Sequence, residues 1–145
     1  MKGRILAIVG LAAFGIALLL SGGQAQASSH AVLAFDKLVA ALNSGEVDTA
    51  AALFADQATA ENLVQAETYR GASQIRQMLD EMQRPGRRLE VVAVAVDGDT
   101  LTARVEVSDH GIVWATETVE AVMDGDKLQS FRVVDFELQL WRIRR

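Results

Sequence analysis

The side chains in this chain that could carry chemistry are few and widely spaced. There is no cysteine, so disulfides, thiolate metal sites and thiol nucleophiles are ruled out together. The two histidines, His30 and His110, are far apart in sequence and do not have the spacing of a metal site, so no metal is expected. Among the acids, Asp135 has the most interesting context. Strand alternation puts it on the same face as Phe131 and Val133, and if that face lines a cavity, burial would raise the carboxyl pKa and make it an acid or base. The alternative is that the sheet ends there and Asp135 sits at a wet rim beside Glu137. Tyr69 and Trp114 each combine a flat apolar body with one hydrogen-bonding tip, which suits a pocket wall as well as a core. With Phe131 they are the candidate wall residues for a ligand.

The elements that must position these residues follow from periodicity. Val32, Phe35, Val39 and Leu42 recur at helical spacing behind an N-cap at Ser28 or Ser29, until Asn43-Ser44-Gly45 stops the run. A shorter helix is expected from Val47, with Ala50, Ala51 and Phe54 on one face. The stretch Phe54 to Met82 then reads as a helix end, a polar strand, a turn, a short strand closing on Tyr69-Arg70-Gly71, and a third helix. Ile75, Met78, Leu79 and Met82 form that helix's buried stripe. After Pro85 the period changes to two. Four strands are expected, Leu89 to Val96, Thr100 to Ser108, Ile112 to Met123 and Leu128 to Trp141, joined by short Asp- and Gly-containing turns. Three helices followed by an antiparallel meander give an α+β fold with the helices on one face of the sheet. In Leu89 to Val96 both alternating sets are apolar, Leu89, Val91, Ala93 and Ala95 against Val92, Val94 and Val96. A second subunit covering one face, a homodimer through the sheet, is therefore expected.

Residues 1–27 read as an address and residues 28–145 as a single domain. Lys2 and Arg4 precede an apolar run from Ile5 to Leu20, and Ala25-Gln26-Ala27 is a small-x-small cleavage signal. The run is shorter than the roughly 20 residues that cross a bilayer comfortably. Cleavage and export to a periplasmic or extracellular space are expected, with an uncleaved anchor as the alternative. Removing residues 1–27 takes Lys2 and Arg4 from the 14 basic residues and leaves the 19 acidic ones, so the domain carries 12 − 19 = −7. That balance argues against nucleic acid as a partner.

Phe54-Ala55-Asp56, Ala58-Thr59-Ala60-Glu61-Asn62, Tyr69-Arg70-Gly71 and Ile75-Arg76 together resemble the nuclear-transport-factor-2-like superfamily, and within it the SnoaL-like and ketosteroid isomerase-like group. The resemblance extends over Ser29 to Trp141. It implies a cone, a curved sheet wrapped around helices with a largely apolar pocket open at one end, and dimerisation through the sheet. No cofactor is expected. The isomerase base of the family falls on Asn62, whose amide has no useful basicity, and the first helix lacks the family's tyrosine. Arg104-Val105-Glu106 with Asp135 resembles the water-activating set of the epoxide hydrolases of this fold, although the first two share the polar face of their strand and also read as a solvated pair. The expected function is therefore binding of a small apolar or amphipathic molecule, with Asn62, Tyr69, Trp114 and Phe131 against it and without the isomerase mechanism. The alternatives are an isomerase, cyclase or hydrolase acting through Asp135, and an assembly module that uses the sheet face.

Overall fold

The computed structural model describes residues 22–139, with side chains from Ser29 onward. The expected leader's first 21 residues and the end of the chain from Leu140, including Trp141, lie outside them. Helix α1 spans Gly22–Asn43 and α2 spans Val47–Ala51; β1 is Phe54–Asn62 and β2 is Glu67–Arg70; α3 is Gly71–Glu81. The meander follows as β3 (Arg87–Asp97), β4 (Thr100–Asp109), β5 (Ile112–Asp124) and β6 (Lys127–Leu138). The six strands form one curved sheet in the order β2-β1-β6-β5-β4-β3, with β1 parallel to β6 and every other pair antiparallel. This is the α+β arrangement expected from the sequence. Among the described residues, no helix is long and apolar enough to cross a membrane.

Two boundaries differ from the sequence reading. Helix α1 is already helical at Gly22, upstream of Ser28 and Ser29, because Gln24, Ala25, Gln26 and Ala27 are good helix formers and continue the helix rather than cap it. Phe54 opens β1 instead of closing α2, and its ring is buried edge-on against Phe131 at a centroid distance of 6.3 Å. The end of α1 forms as expected. Gly45 takes φ +72°, which lets the Glu46 N–H reach the Ala41 carbonyl at 2.9 Å and the Gly45 N–H reach the Leu42 carbonyl at 3.3 Å, closing the helix with a Schellman turn. Asn43 then clamps the start of β3. Its amide donates to the Leu89 carbonyl and accepts from the Leu89 N–H, both at 2.8 Å.

The core lies between the helices and the concave face of the sheet. Phe35 and Leu38 from α1, Ile75 and Leu79 from α3, and Leu101 and Leu128 from the sheet are its largest fully buried side chains. Burying each of them stabilises the fold by about 1.5–3 kcal/mol. Along β4 the alternation is kept, and Leu101, Ala103, Val105 and Val107 all face inward.

β-Bulges break the alternation elsewhere in the meander, and two of them correct readings of which face a residue occupies. In β3, Val91 pairs with Val105 but Ala93 pairs with Arg104, so Val92 is the extra residue. Leu89, Val91, Val94 and Val96 therefore share the inner face, opposite Val107, Val105, Ala103 and Leu101. The outer face carries Glu90, Ala93 and Ala95 beside the exposed Val92, not the second full apolar row that motivated a covering subunit. In β6, Val133 pairs with Val119 and Asp135 with Thr118, so Val134 is extra and every residue beyond it changes face. Earlier in the same strand Gln129 is extra, which lets Leu128 and Phe131 both face inward. In β5, Trp114 is the extra residue between Val113 and Ala115.

Candidate functional site

The concave face holds a pocket of about 490 Å³. Its walls come from five elements: Asn62, Val64 and Tyr69 at the β1–β2 hairpin, Met78 and Met82 at the end of α3, Arg87 from β3, Trp114 and Glu117 from β5, and Phe131, Val133 and Phe136 from β6. The curvature that opens it is tied to the bulges, since local twist and bend increase where a strand carries an extra residue. The β5 bulge turns Trp114 into the wall, where its ring sits 5.8 Å from that of Phe136.

Of the four acids that line this pocket, Glu61, Glu67, Glu81 and Glu117, Glu117 is the one on the inner face of β5. It alternates with Ala115, Val119, Ala121 and Met123, all buried, so it is the one charged residue on an otherwise apolar strand face. Burial pushes its carboxyl above the ordinary carboxylate range, and the Arg87 guanidinium pulls in the opposite direction. The two form no ion pair within 4.0 Å. Among the described residues the ion pairs are Arg76 with Asp48, Arg104 with Glu137, and Arg132 with Glu61 and Glu120. Arg87 instead lies over the Trp114 ring, 5.9 Å from its centroid, and donates through Nη1 to the Met82 carbonyl at 3.4 Å. The Arg87 Nε and the Trp114 Nε1 are buried and have no hydrogen-bond partner. Such orphan donors are rare and costly in a folded chain, which marks this corner as polar beyond the needs of packing.

Tyr69 pairs with Ala60 across β1 and β2, so its ring faces the pocket. Its hydroxyl donates to Glu67 Oε2 at 3.1 Å. The phenol pKa is raised by burial, then by that hydrogen bond, and then by the charges of Glu67 and Glu81, so the group stays protonated at neutral pH. Asn62 also reaches the pocket, but both ends of its amide are engaged. Oδ1 accepts from the Val64 and Gln65 N–H groups, each at 3.1 Å, and Nδ2 donates to Gln65 Oε1 at 3.1 Å. Its first task is to fold the β1–β2 turn as an Asx motif.

Of the residues singled out from sequence, Asn62, Tyr69, Trp114 and Phe131 line one pocket. Asp135 does not. The Val134 bulge places it opposite Thr118 on the outer face, exposed, and brings Phe136 inward in its place, so the shared face with Phe131 and Val133 is corrected. Arg104 is also on the outer face and reaches Glu137 at 3.8 Å, outside the pocket together with Glu106. His110 is exposed in the β4–β5 turn and His30 is exposed on α1. Among the described residues, no cluster of histidines and acids could hold a metal. Sequence reasoning missed Glu117 and Arg87, although the alternation of Ala115, Glu117, Val119, Ala121 and Met123 along β5 was a readable signal for the first.

Solved structures share this fold at low sequence identity. An LEH-like epoxide hydrolase of M. tuberculosis superposes with a TM-score of 0.62 at 17% identity, over 79% of this chain and 86% of that one. A protein with a ketosteroid isomerase-like fold from Catenulispora acidiphila DSM 44928, solved in complex with trimethylamine, gives 0.60 at 15% identity, over 68% and 82%. A de novo designed protein with a curved β-sheet gives 0.64 at 23% identity, over 72% and 84%. An enzyme and a designed scaffold share the architecture equally well, so the likeness concerns the fold and not the chemistry. No curated protein sequence matches the chain. Residues 35–140 match the SnoaL-like domain family, and the chain belongs to that family, with the nuclear-transport-factor-2-like fold.

Proposed function

We propose that the protein binds a small amphipathic molecule in the concave pocket, its apolar body against Met78, Phe131, Val133 and Phe136 and its polar end at Glu117 and Arg87. The observation that carries this reading is the composition of the 490 Å³ pocket: an apolar wall along β6 and α3, Glu117 and Arg87 set against it without pairing with each other, and Glu61, Glu67, Glu81 and Arg84 as the other charged side chains of the lining. A volume of that size suits a small ligand. The ketosteroid isomerase-type base is absent, since Asn62 stands in its place and is held in the turn. The charged start, apolar run and Ala25-Gln26-Ala27 of the leader support an exported setting.

A second reading rests on one observation, the raised carboxyl of Glu117. It makes this residue, and not Asp135, the proton-carrying group of an isomerase, cyclase or hydrolase.

Titration with an anilinonaphthalene sulfonate probe, followed by fluorescence, tests the binding reading. The wild-type chain and Asp135→Asn should bind the probe alike. Val133→Trp, which fills the pocket, should abolish binding, and Phe136→Ala, which enlarges it, should retain it. Absence of probe binding in the wild type, together with no co-purifying small molecule in native mass spectrometry, would refute the reading.

A further inference from the structure

Three of the four acids that line the pocket already have a partner. Glu61 pairs with Arg132 at 3.1 Å, Glu67 accepts from the Tyr69 hydroxyl at 3.1 Å, and Glu81 accepts from the Gln77 amide at 2.9 Å. Glu67 and Glu81 are exposed, as is Arg84, so water and salt screen their charges. Glu117 and Arg87 are half-buried, and neither takes part in an ion pair among the described residues.

These two unpaired charges are not equivalent. A carboxyl can shed its charge by taking a proton, and burial drives Glu117 that way against the pull of Arg87. A guanidinium cannot, because it keeps its proton at any pH a folded chain meets. The charge that lacks a partner is therefore the positive one on Arg87. The unpartnered atoms agree with it in sign. Arg87 Nε and Trp114 Nε1, buried and without a hydrogen-bond partner, are both donors, and only an acceptor can satisfy them. Arg87 is also loosely held. Its one hydrogen bond among the described residues is the 3.4 Å contact to the Met82 carbonyl, and its guanidinium carbon stands 5.9 Å from the centre of the Trp114 ring.

Given that the pocket binds an amphipathic molecule, on which this inference rests, we propose that the polar end of that molecule is a carboxylate, which draws the Arg87 guanidinium off the Trp114 ring and pairs with it while the apolar body lies along Phe131, Val133 and Phe136. A carboxylate has two oxygens and matches the planar fork of a guanidinium, so it neutralises the charge and accepts the orphaned Nε–H together. The same displacement frees the Trp114 Nε1–H for the carboxylate or for water. An amine in this place adds a second cation beside Arg87 and leaves both donors unmatched. A ketone matches a donor and leaves the charge.

Isothermal titration calorimetry of the purified chain with decanoate, decan-2-one and decylamine separates these classes. Decanoate should bind at least about tenfold more tightly than either of the others, a difference of about 1.4 kcal/mol. Arg87→Met should erase that preference, weakening decanoate binding about tenfold and changing decan-2-one binding by less than about threefold. Circular dichroism checks that the variant folds. With Trp141→Phe, Trp114 is the only tryptophan of the chain, and its emission should change on saturation with decanoate as Arg87 leaves its ring. Decan-2-one or decylamine binding as tightly as decanoate, or a decanoate preference that survives in folded Arg87→Met, overturns the carboxylate assignment and leaves the pocket reading standing. Trp114 emission that decanoate leaves unchanged overturns the displacement of Arg87. Binding of the anilinonaphthalene sulfonate probe with none of the three compounds also overturns the assignment. If neither the probe nor any of the three binds, the pocket reading itself fails, and the assignment fails with it.

Discussion

Replacing Glu117 by glutamine isolates the carboxyl of the pocket whose pKa burial raises. Burial raises the Glu117 pKa in the folded chain, so the folded state favours the protonated form more than the unfolded state does. The associated stability is fully present below the unfolded value, about 4.3 for glutamate, and is lost as pH rises through the raised folded value. Each unit of raising corresponds to about 1.4 kcal/mol. With a urea m-value of about 1–3 kcal/mol per molar, that moves the denaturation midpoint by roughly 0.5 to 1.4 M per unit. The glutamine side chain keeps the shape and cannot ionise. The difference in midpoint between wild type and Glu117→Gln, measured at half-unit steps from pH 4 to pH 9, should therefore change in favour of the variant as pH rises and then level off. Taking the difference cancels the other carboxylates, which titrate alike in both proteins. Arg87 lowers the Glu117 pKa, so Arg87→Met should move the changing limb to higher pH. A midpoint difference that is flat with pH would refute the burial argument, and a limb unmoved by Arg87→Met would refute the coupling between the two side chains.

Three further outcomes follow from the same geometry. Asn62→Ala removes the acceptor for two backbone N–H groups and should cost about 1 kcal/mol, whereas Asn62→Asp keeps an acceptor there and should cost less; urea denaturation separates the two. Gly86 has φ +79°, and a Cβ there would lie 2.5 Å from the His110 ring, so Gly86→Ala should lower stability by about 1–2 kcal/mol for the backbone alone and by more while the imidazole is present. The double variant with His110→Ala should recover the steric part and leave the backbone part, which thermal melts can resolve. Asp135→Asn, on the outer face, should change stability by no more than about 0.5 kcal/mol, as surface substitutions usually do.

The fold was legible because its signals are redundant. The Ile75, Met78 and Leu79 stripe, the helix stop at Asn43-Ser44-Gly45 and the aspartate- and glycine-containing turns each identify an element without reference to the others, and a shift of one residue in any of them leaves the topology intact. Strand faces have no such redundancy. A single extra residue reverses every assignment beyond it, because the side-chain period is two. Val92 and Val134 are β-branched residues at ordinary-looking strand positions, and nothing in their chemistry distinguishes a bulged valine from a paired one.

The site was affected at the point where that ambiguity falls. Reading β6 without its Val134 bulge carries Asp135 inward with Phe131 and Val133 and turns Phe136 out; the bulge exchanges the two and makes that wall apolar. β5 carries its bulge at Trp114, before the alternating run that begins at Ala115, so the inward position of Glu117 was unaffected and could be read from the sequence. A buried carboxylate is tolerated where an arginine lies near and water or a ligand can reach it, and costs several kcal/mol where neither holds. With Asp135 turned outward by Val134, the wall formed by β5 and β6 keeps one acid, Glu117, and Arg87 is the cation from β3 that offsets it. The same bulge that misled the reading of Asp135 is therefore what leaves Glu117, offset by Arg87, as the one acid of the wall that β5 and β6 give to the pocket.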